Sequence, residues 1–173
     1  VEGLTVPLFN GHPCYVMSPF AFIKRPFHWL QAITRYKGTH SQAPNFAYDQ
    51  CVRRVTPEQR AQLDLSSWVA AGNAAEPINP KVMEAFVKTF EPCGFRWSSY
   101  APAYGLAEAT LLVSTSPVTE EPVFLTVDGT ALERHRIVPK TQKDDETVRT
   151  LPGCGRLVCD TKVVIANPDK MTK

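Results

Sequence analysis

The chain has 173 residues, 19 of them basic and 17 acidic, for a net charge of +2. That length holds one large domain or two small ones with a sizeable core, and the near-balanced charge gives no reason to expect a polyanionic partner such as a nucleic acid. Arg53-Arg54 reads as a solvated basic face. The five cysteines contain no Cys-x-x-Cys pair, and no histidine stands near Cys154 and Cys159, so no zinc site is indicated. All five are expected as reduced thiols of a cytosolic protein, mostly packed as small hydrophobes. No apolar run nears the ~20 residues that span a bilayer, and no signal-peptide pattern opens the chain. It starts at Val1 in mid-pattern and stops at Lys173 after an apolar run, which reads as a piece of a longer protein.

In chain order, residues 4–8 are apolar but interrupted by Pro7, and read as a helix end or loop. Cys14, Tyr15, Val16 and Met17 form a short buried-strand candidate between Pro13 and Ser18-Pro19. A helix opens at Ser18 or Pro19, with Phe20, Ile23, Phe27, Leu30, Ile33 and Tyr36 at helical spacing, and Arg25-Pro26 splits it. Residues 40–44 read as a strand end and turn, with Asn45 as N-cap of a helix over 46–55. Thr56 and Pro57 start another helix. Residues 68–71 predict a strand. Asn79-Pro80 opens an amphipathic helix with Val82, Ala85, Phe86 and Phe90 on one face, ending near Cys93-Gly94. An extended stretch over 98–101 leads to a turn at Gly105, and 106–113 continues as helix or strand.

Strands alternating with helices indicate an α/β domain with a mostly parallel sheet flanked by helices. Ligands of such sheets sit in the crevice at the C-terminal strand ends. Three segments gather there on this reading: 40–45, 72–77 and 101–108. Beyond about Ser114 the chain turns β-rich, an excursion from the α/β part. A strand over 123–127 ends at the turn signal Asp128-Gly129, and 131–135 can make one helical turn. Residues 140–146 are charged, and 157–165 read as a hairpin turning near Asp160-Thr161.

Three motifs are candidates for chemistry. Tyr104-Gly105-Leu106-Ala107-Glu108 sets an aromatic ring beside a glycine turn, which suits the flat face of a purine. The Glu108 carboxylate three residues on can hold Mg²⁺ through oxygen. The same residues read equally well as a turn entering a helix with a solvated glutamate. Gly72-Asn73-Ala74-Ala75-Glu76-Pro77 is small enough for a ligand ring to lie on the backbone, but alone it is also a plain strand-to-helix loop. His40, followed by Ser41, can orient a carboxylate or a developing negative charge, although a lone histidine is more often a hydrogen-bonded structural residue. Phe46 opens a helix that can wall an apolar pocket or simply pack as core. Gly-x-Ser-x-Gly, Walker, Gly-x-Gly-x-x-Gly and His-Glu-x-x-His signatures are missing, which removes the hydrolase, classical P-loop and zincin readings.

Together, residues 10–19, Arg25-Pro26 with Trp29-Leu30, Thr39-His40-Ser41 with 44–48, residues 63–68 and residues 104–110 follow one another in an order that resembles the fatty acyl-AMP ligases of the adenylate-forming superfamily. The resemblance implies a ligase that makes an acyl-adenylate from a fatty acid and ATP, releases pyrophosphate, and passes the acyl group to the phosphopantetheine arm of an acyl carrier protein, commonly for polyketide assembly. By the same resemblance Ala74, Ala75 and Glu76 lie against the adenine opposite Tyr104, with Gly105, Leu106 and Ala107 completing the nucleotide turn. Glu108 helps hold Mg²⁺, His40 sits near the carboxylate, and Phe46 borders the acyl tunnel. Residues 1–115 are then part of the large adenylation domain. Residues 116–152 are an insertion thought to disfavour the CoA-accepting conformation, and 153–173 lead into the next subdomain. Many superfamily members carry Thr at the position of Ala107, where Ala is common in this branch, and the family often has Gly at that of Ala74.

The family's Ser/Thr/Gly-rich phosphate loop is expected before Val1. Its ribose-binding Asp and its small C-terminal domain with the catalytic Lys are expected after Lys173. The isolated chain is therefore expected to be inactive, although its parent is an enzyme. The alternative is a noncatalytic acyl- or nucleotide-binding or scaffold subdomain.

Overall fold

The computed structural model describes residues 2–118, 120–141, 147–167 and 170. The order is α1 (Glu2–Asn10), α2 (Pro19–Lys24), α3 (Phe27–Tyr36), β1 (His40–Ala43), α4 (Asn45–Arg54), α5 (Pro57–Arg60), β2 (Ala70–Asn73), α6 (Pro80–Phe90), β3 (Tyr100–Gly105), β4 (Leu112–Thr115), β5 (Phe124–Asp128), α7 (Gly129–Leu132), β6 (Val148–Pro152) and β7 (Arg156–Leu157). The main sheet runs β1-β2-β3-β4-β7. It is parallel from β1 to β3 and antiparallel from β3 through β4 to β7, so the α/β class holds with a mixed sheet. β5 and β6 pair antiparallel as a separate two-stranded sheet.

Aromatic burial drives the helical layer onto the parallel strands. Trp68, Tyr48, Phe86 and Phe90 are wholly inaccessible, and Leu30, Leu65, Met83 and Tyr100 join them. The Tyr48 ring meets Phe86 at 4.9 Å and Tyr100 at 5.0 Å, while Trp68 meets Trp29 at 5.1 Å and Phe95 at 5.3 Å. Such edge-on and tilted pairs add to the area term. The polar handles of these rings find partners: Trp29 Nε1 donates to Ser41 Oγ at 2.8 Å, Trp68 Nε1 to the Ala70 carbonyl at 3.0 Å, and Tyr48 Oη to the Gly72 carbonyl at 2.7 Å. The core is thus tied to β1 and β2 by direction as well as by area.

Local signals set several boundaries. Thr56 and Gln59 form a reciprocal capping box with Pro57 in the first turn, and Asn79 Oδ1 accepts from the Lys81 amide to open α6. The break at Arg25-Pro26 falls between α2 and α3, as expected. Residues 4–8 belong to a full helix that tolerates Pro7. That proline lacks the N–H that would bond the Gly3 carbonyl, and Cys14 Sγ donates to it instead at 2.7 Å.

Other expectations need correction. Residues 14–17 form no strand: β1 is an edge strand that does not pair with them, Tyr15 and Val16 are exposed, and Tyr15 stacks on Tyr36 at 4.0 Å. Residues 40–43 are the first strand itself, not a turn, and β2 starts two residues later than 68 because Trp68 is spent on the core. Asn45 makes no helix cap; its amide turns inward. Residues 106–113 split into a 3-10 turn and β4. The 157–165 hairpin is absent: Leu157 pairs with Ser114, Cys159 and Asp160 turn, and 161–166 are not strand. In the 140–146 segment, 142–146 lie outside the described residues. Cys51 and Cys93 pack as small hydrophobes, while Cys14 and Cys159 are exposed.

The excursion is organised by Asp128. Its side chain caps α7 through the Ala131 amide at 2.8 Å and pairs with Lys140 at 3.0 Å, so the turn signal at Asp128-Gly129 becomes a helix start. Phe124 stacks on Trp97 at 5.7 Å, which joins the excursion to the main core.

Trp68→Ala is expected to destabilise by about 3–5 kcal/mol, because a large ring is removed from a site walled on every side, and urea unfolding checks this. A pH effect follows from two carboxyls held below the usual carboxylate range. Asp64 is lowered first by the Lys37 hydrogen bond and then by Ser66, and Asp128 first by the Ala131 amide and then by Lys140. A depressed folded pKa adds stability that is complete above the unfolded value of about 3.9 and is lost as pH falls through the folded pKa. The melting temperature should therefore decline below about pH 4, and Asp64→Asn should flatten part of that decline. An unchanged acid profile in that variant removes Asp64 from the account.

Candidate functional site

Because β1, β2 and β3 run parallel, their C-terminal ends lie along one edge. Ala43 pairs with Asn73, and Asn73 with Pro102. The three exits from this edge are Pro44 into α4, the loop 74–79 into α6, and Tyr104-Gly105 into the 3-10 turn Ala107–Ala109.

The third exit is the most constrained. A β-bulge falls between Tyr104 and Gly105. A Cβ on Gly105 would stand 1.9 Å from the Leu111 carbonyl oxygen, so only glycine fits. The loop closes through the Leu106 amide, which donates to that same Leu111 carbonyl at 2.9 Å. Inside it, Thr110 has φ 69 and ψ −53, and the Leu111 amide donates back to Ala109 at 2.8 Å. This is the rare γ-turn with positive φ, which costs of order 1–3 kcal/mol and is kept only where its surroundings over-determine it. The loop carries Tyr104, 52% exposed, and Glu108, also exposed.

The second exit is short and open. Ala74 is half-buried, while Ala75, Glu76 and Pro77 are exposed, and Ala75 has φ 72. Small side chains leave the backbone edge of this loop accessible beside Tyr104. At the first exit Phe46 is half exposed and meets Phe22 edge-on at 6.3 Å.

His40 stands apart from this gathering. It is the first residue of β1, paired with Ala70, about 10 Å along the strand from Ala43. It is exposed, with Nδ1 2.9 Å from Thr39 Oγ1. The edge thus brings together Ala74, Ala75, Glu76, Tyr104, Gly105, Leu106, Ala107, Glu108 and Phe46, and leaves His40 at the opposite end of its strand. For a metal, Glu108 offers a single accessible carboxylate. Among the described residues no group of three or more His, Cys, Asp or Glu could hold an ion. That fits Mg²⁺ bound by one carboxylate together with substrate phosphates, and does not fit a cage made by protein alone.

Sequence reasoning passed over two asparagines at this edge. Asn73 Nδ2 donates to Asn45 Oδ1 and to Tyr100 Oη, both at 2.9 Å. The signal available was their place: Pro44-Asn45 and Gly72-Asn73 each set an amide at the end of a predicted strand.

A sequence profile of the family described as AMP-binding enzyme matches residues 1–173. The chain belongs to that family. It is 54% identical over 174 residues to JamA of Moorena producens, a medium-chain-fatty-acid acyl-carrier-protein ligase, across 100% of this chain and 29% of that protein. It is 42% identical over 133 residues to a long-chain-fatty-acid–AMP ligase of Mycobacterium marinum, across 74% of this chain and 21% of the relative. A fatty acyl-adenylate ligase from L. pneumophila, solved with acyl adenylate and pyrophosphate, superposes with a TM-score of 0.90 at 40% identity, over 97% of this chain and 29% of that one. The resemblance carried by the motifs and the matches found by comparison thus agree on fatty-acid ligases within the AMP-binding enzymes, and the chain spans at most 29% of the length of these relatives.

Gly105→Ala tests the constraint on the third exit. The added methyl should displace residues 106–111 and destabilise by about 1–3 kcal/mol, read as faster amide exchange at Leu106 and a lower urea midpoint. A variant with native exchange at Leu106 would show that the turn has slack.

Proposed function

We propose that the protein carrying this chain activates a fatty acid with ATP to an acyl-adenylate and delivers the acyl group to an acyl carrier protein. The observation that carries the reading is the gathering of the 74–77 loop and the Tyr104–Glu108 turn at the C-terminal edge of three parallel strands. The similarity to JamA and to the acyl-adenylate complex supports it.

On this reading the Tyr104 ring covers one face of the adenine, and the backbone of Ala74, Ala75 and Glu76 the other. Gly105, Leu106 and Ala107 continue the nucleotide turn. Glu108 holds Mg²⁺, which when bound neutralises charge on the phosphate oxygens. The fatty-acid carboxylate attacks the α-phosphorus, and the bond to pyrophosphate breaks. Phe46 and its neighbour Phe22 border the acyl chain. His40 acts near the carboxylate only if a group from outside this chain brings the acid to the entry of β1. The 116–152 excursion serves to disfavour transfer to CoA. The surroundings are cytoplasmic and the product feeds polyketide assembly.

A second reading, a noncatalytic nucleotide- or acyl-binding module, describes the 173 residues taken alone. The phosphate-binding donors that adenylation requires are expected on chain outside them.

The test is ATP–pyrophosphate exchange with laurate and Mg²⁺ in the full-length protein. Tyr104→Ala should raise the KM for ATP about tenfold, and Glu108→Ala should lower kcat about 100-fold through lost positioning of phosphate charge. Wild-type exchange in both variants would remove this edge from the mechanism. The 173-residue chain alone is expected to give no exchange.

A further inference from the structure

The 74–77 loop is pinned at both ends by one side chain from a different strand exit. Asn45 is buried at the first position of α4, one residue past the N-cap Pro44, and none of its side-chain bonds is spent on its own helix. Its Nδ2 donates to the Pro77 carbonyl at 2.8 Å, at the far end of the loop. Its Oδ1 accepts from the Asn79 amide at 3.0 Å, at the start of α6, and from Asn73 Nδ2 at 2.9 Å, at the near end of the loop. The second Asn73 N–H goes on to Tyr100 Oη at 2.9 Å, so the chain of bonds reaches β3 as well. Between the pinned ends lie the exposed residues Ala75 and Glu76, and Ala75 is held at φ 72, a conformation that an alanine free to relax avoids.

We propose that Asn45 is a positioning residue for the nucleotide: it fixes the shape of the 74–77 loop before the nucleotide arrives. This rests on the reading of that loop as part of the nucleotide site. The Asn45 side chain is buried, its bond to Asn73 is buried, and those to Pro77 and Asn79 are partly so, so a change in the loop's shape breaks bonds that are costly to leave unmade. A surface fixed in advance spares the nucleotide the ordering cost of binding. The dependence is specific. The clamp braces the purine side of the edge and leaves the acyl side to Phe46 and Phe22.

The test is steady-state kinetics of the full-length protein with ATP, Mg²⁺ and laurate, comparing wild type, Asn45→Asp, Asn45→Ser and Tyr104→Ala. Asn45→Asp keeps an acceptor for Asn73 and Asn79 but turns a carboxylate oxygen toward the Pro77 carbonyl. It should raise the KM for ATP about tenfold, with the KM for laurate within about twofold of wild type. Asn45→Ser, whose side chain is too short to span both Pro77 and Asn79, should move the same way and decides the matter if Asn45→Asp does not fold. If Tyr104→Ala raises the KM for ATP and the folded Asn45 variants do not, the clamp is wrong and the nucleotide reading stands. An unchanged KM for ATP in Tyr104→Ala as well overturns both. Equal rises in the two KM values, or a fall in kcat alone alongside a lower melting temperature, make Asn45 merely structural and overturn the proposal.

Discussion

The bond from the Tyr48 phenol to the Gly72 carbonyl joins the two halves of this structure, the aromatic core and the strand edge. Tyr48 is wholly buried among Trp29, Trp68, Phe86 and Tyr100. Burial, reinforced by Tyr100 and then Cys51, pushes its phenol far above the ordinary tyrosine range, so the hydroxyl stays protonated and remains a donor. A donor sealed from water must find an acceptor, and the acceptor it finds lies one residue before the end of β2. The position of α4 over the sheet and the place where β2 ends are therefore parts of one arrangement.

The same economy recurs one turn earlier on α4, where Asn45 reaches across to the β2 exit. Tyr48 and Asn45 stand three residues apart and so share a helix face. One touches the last part of β2 and the other the loop beyond it. One face of the helix thereby meets both the core and the edge. Parallel strands make this possible, since only they bring successive exits to one side. The antiparallel step at β4 ends that series and turns the chain back under the bulge at Gly105.

Much of this was legible in the sequence. Alternation of strand and helix gave the class, Thr56-Pro57 and Asn79-Pro80 marked the starts of their helices, and segments from residue 10 to Thr110, in order, carried the family resemblance. What failed did so where a local preference lacked a partner or found a better one. Tyr15 and Val16 have strand propensity but no ladder to join, and β propensity is realised only against neighbours. Val163, Val164 and Ile165 are alike in this, exposed and outside any strand. Asn45 had every mark of a helix cap, and a tertiary acceptor and two donors outbid the local amide. The strand position of His40 could not be read from composition. A four-residue strand shows no periodicity that tells its entry from its exit.

Strain is distributed unevenly along this edge. Ala75 and Thr110 both adopt positive φ, and each belongs to a loop that is closed at its base, one by amide bonds to Asn45 and the other by the Leu106–Leu111 bond. Neither residue would choose its conformation unaided, and neither is buried enough for packing alone to impose it. The closure at the base must therefore supply the constraint. Folding thus sets the geometry of the exposed residues between the closures, and a ligand that meets them finds a surface whose ordering cost has already been met. The small side chains of Ala74 and Ala75 and the closed 106–111 loop that carries Glu108 thus leave this edge already shaped when a ligand meets it.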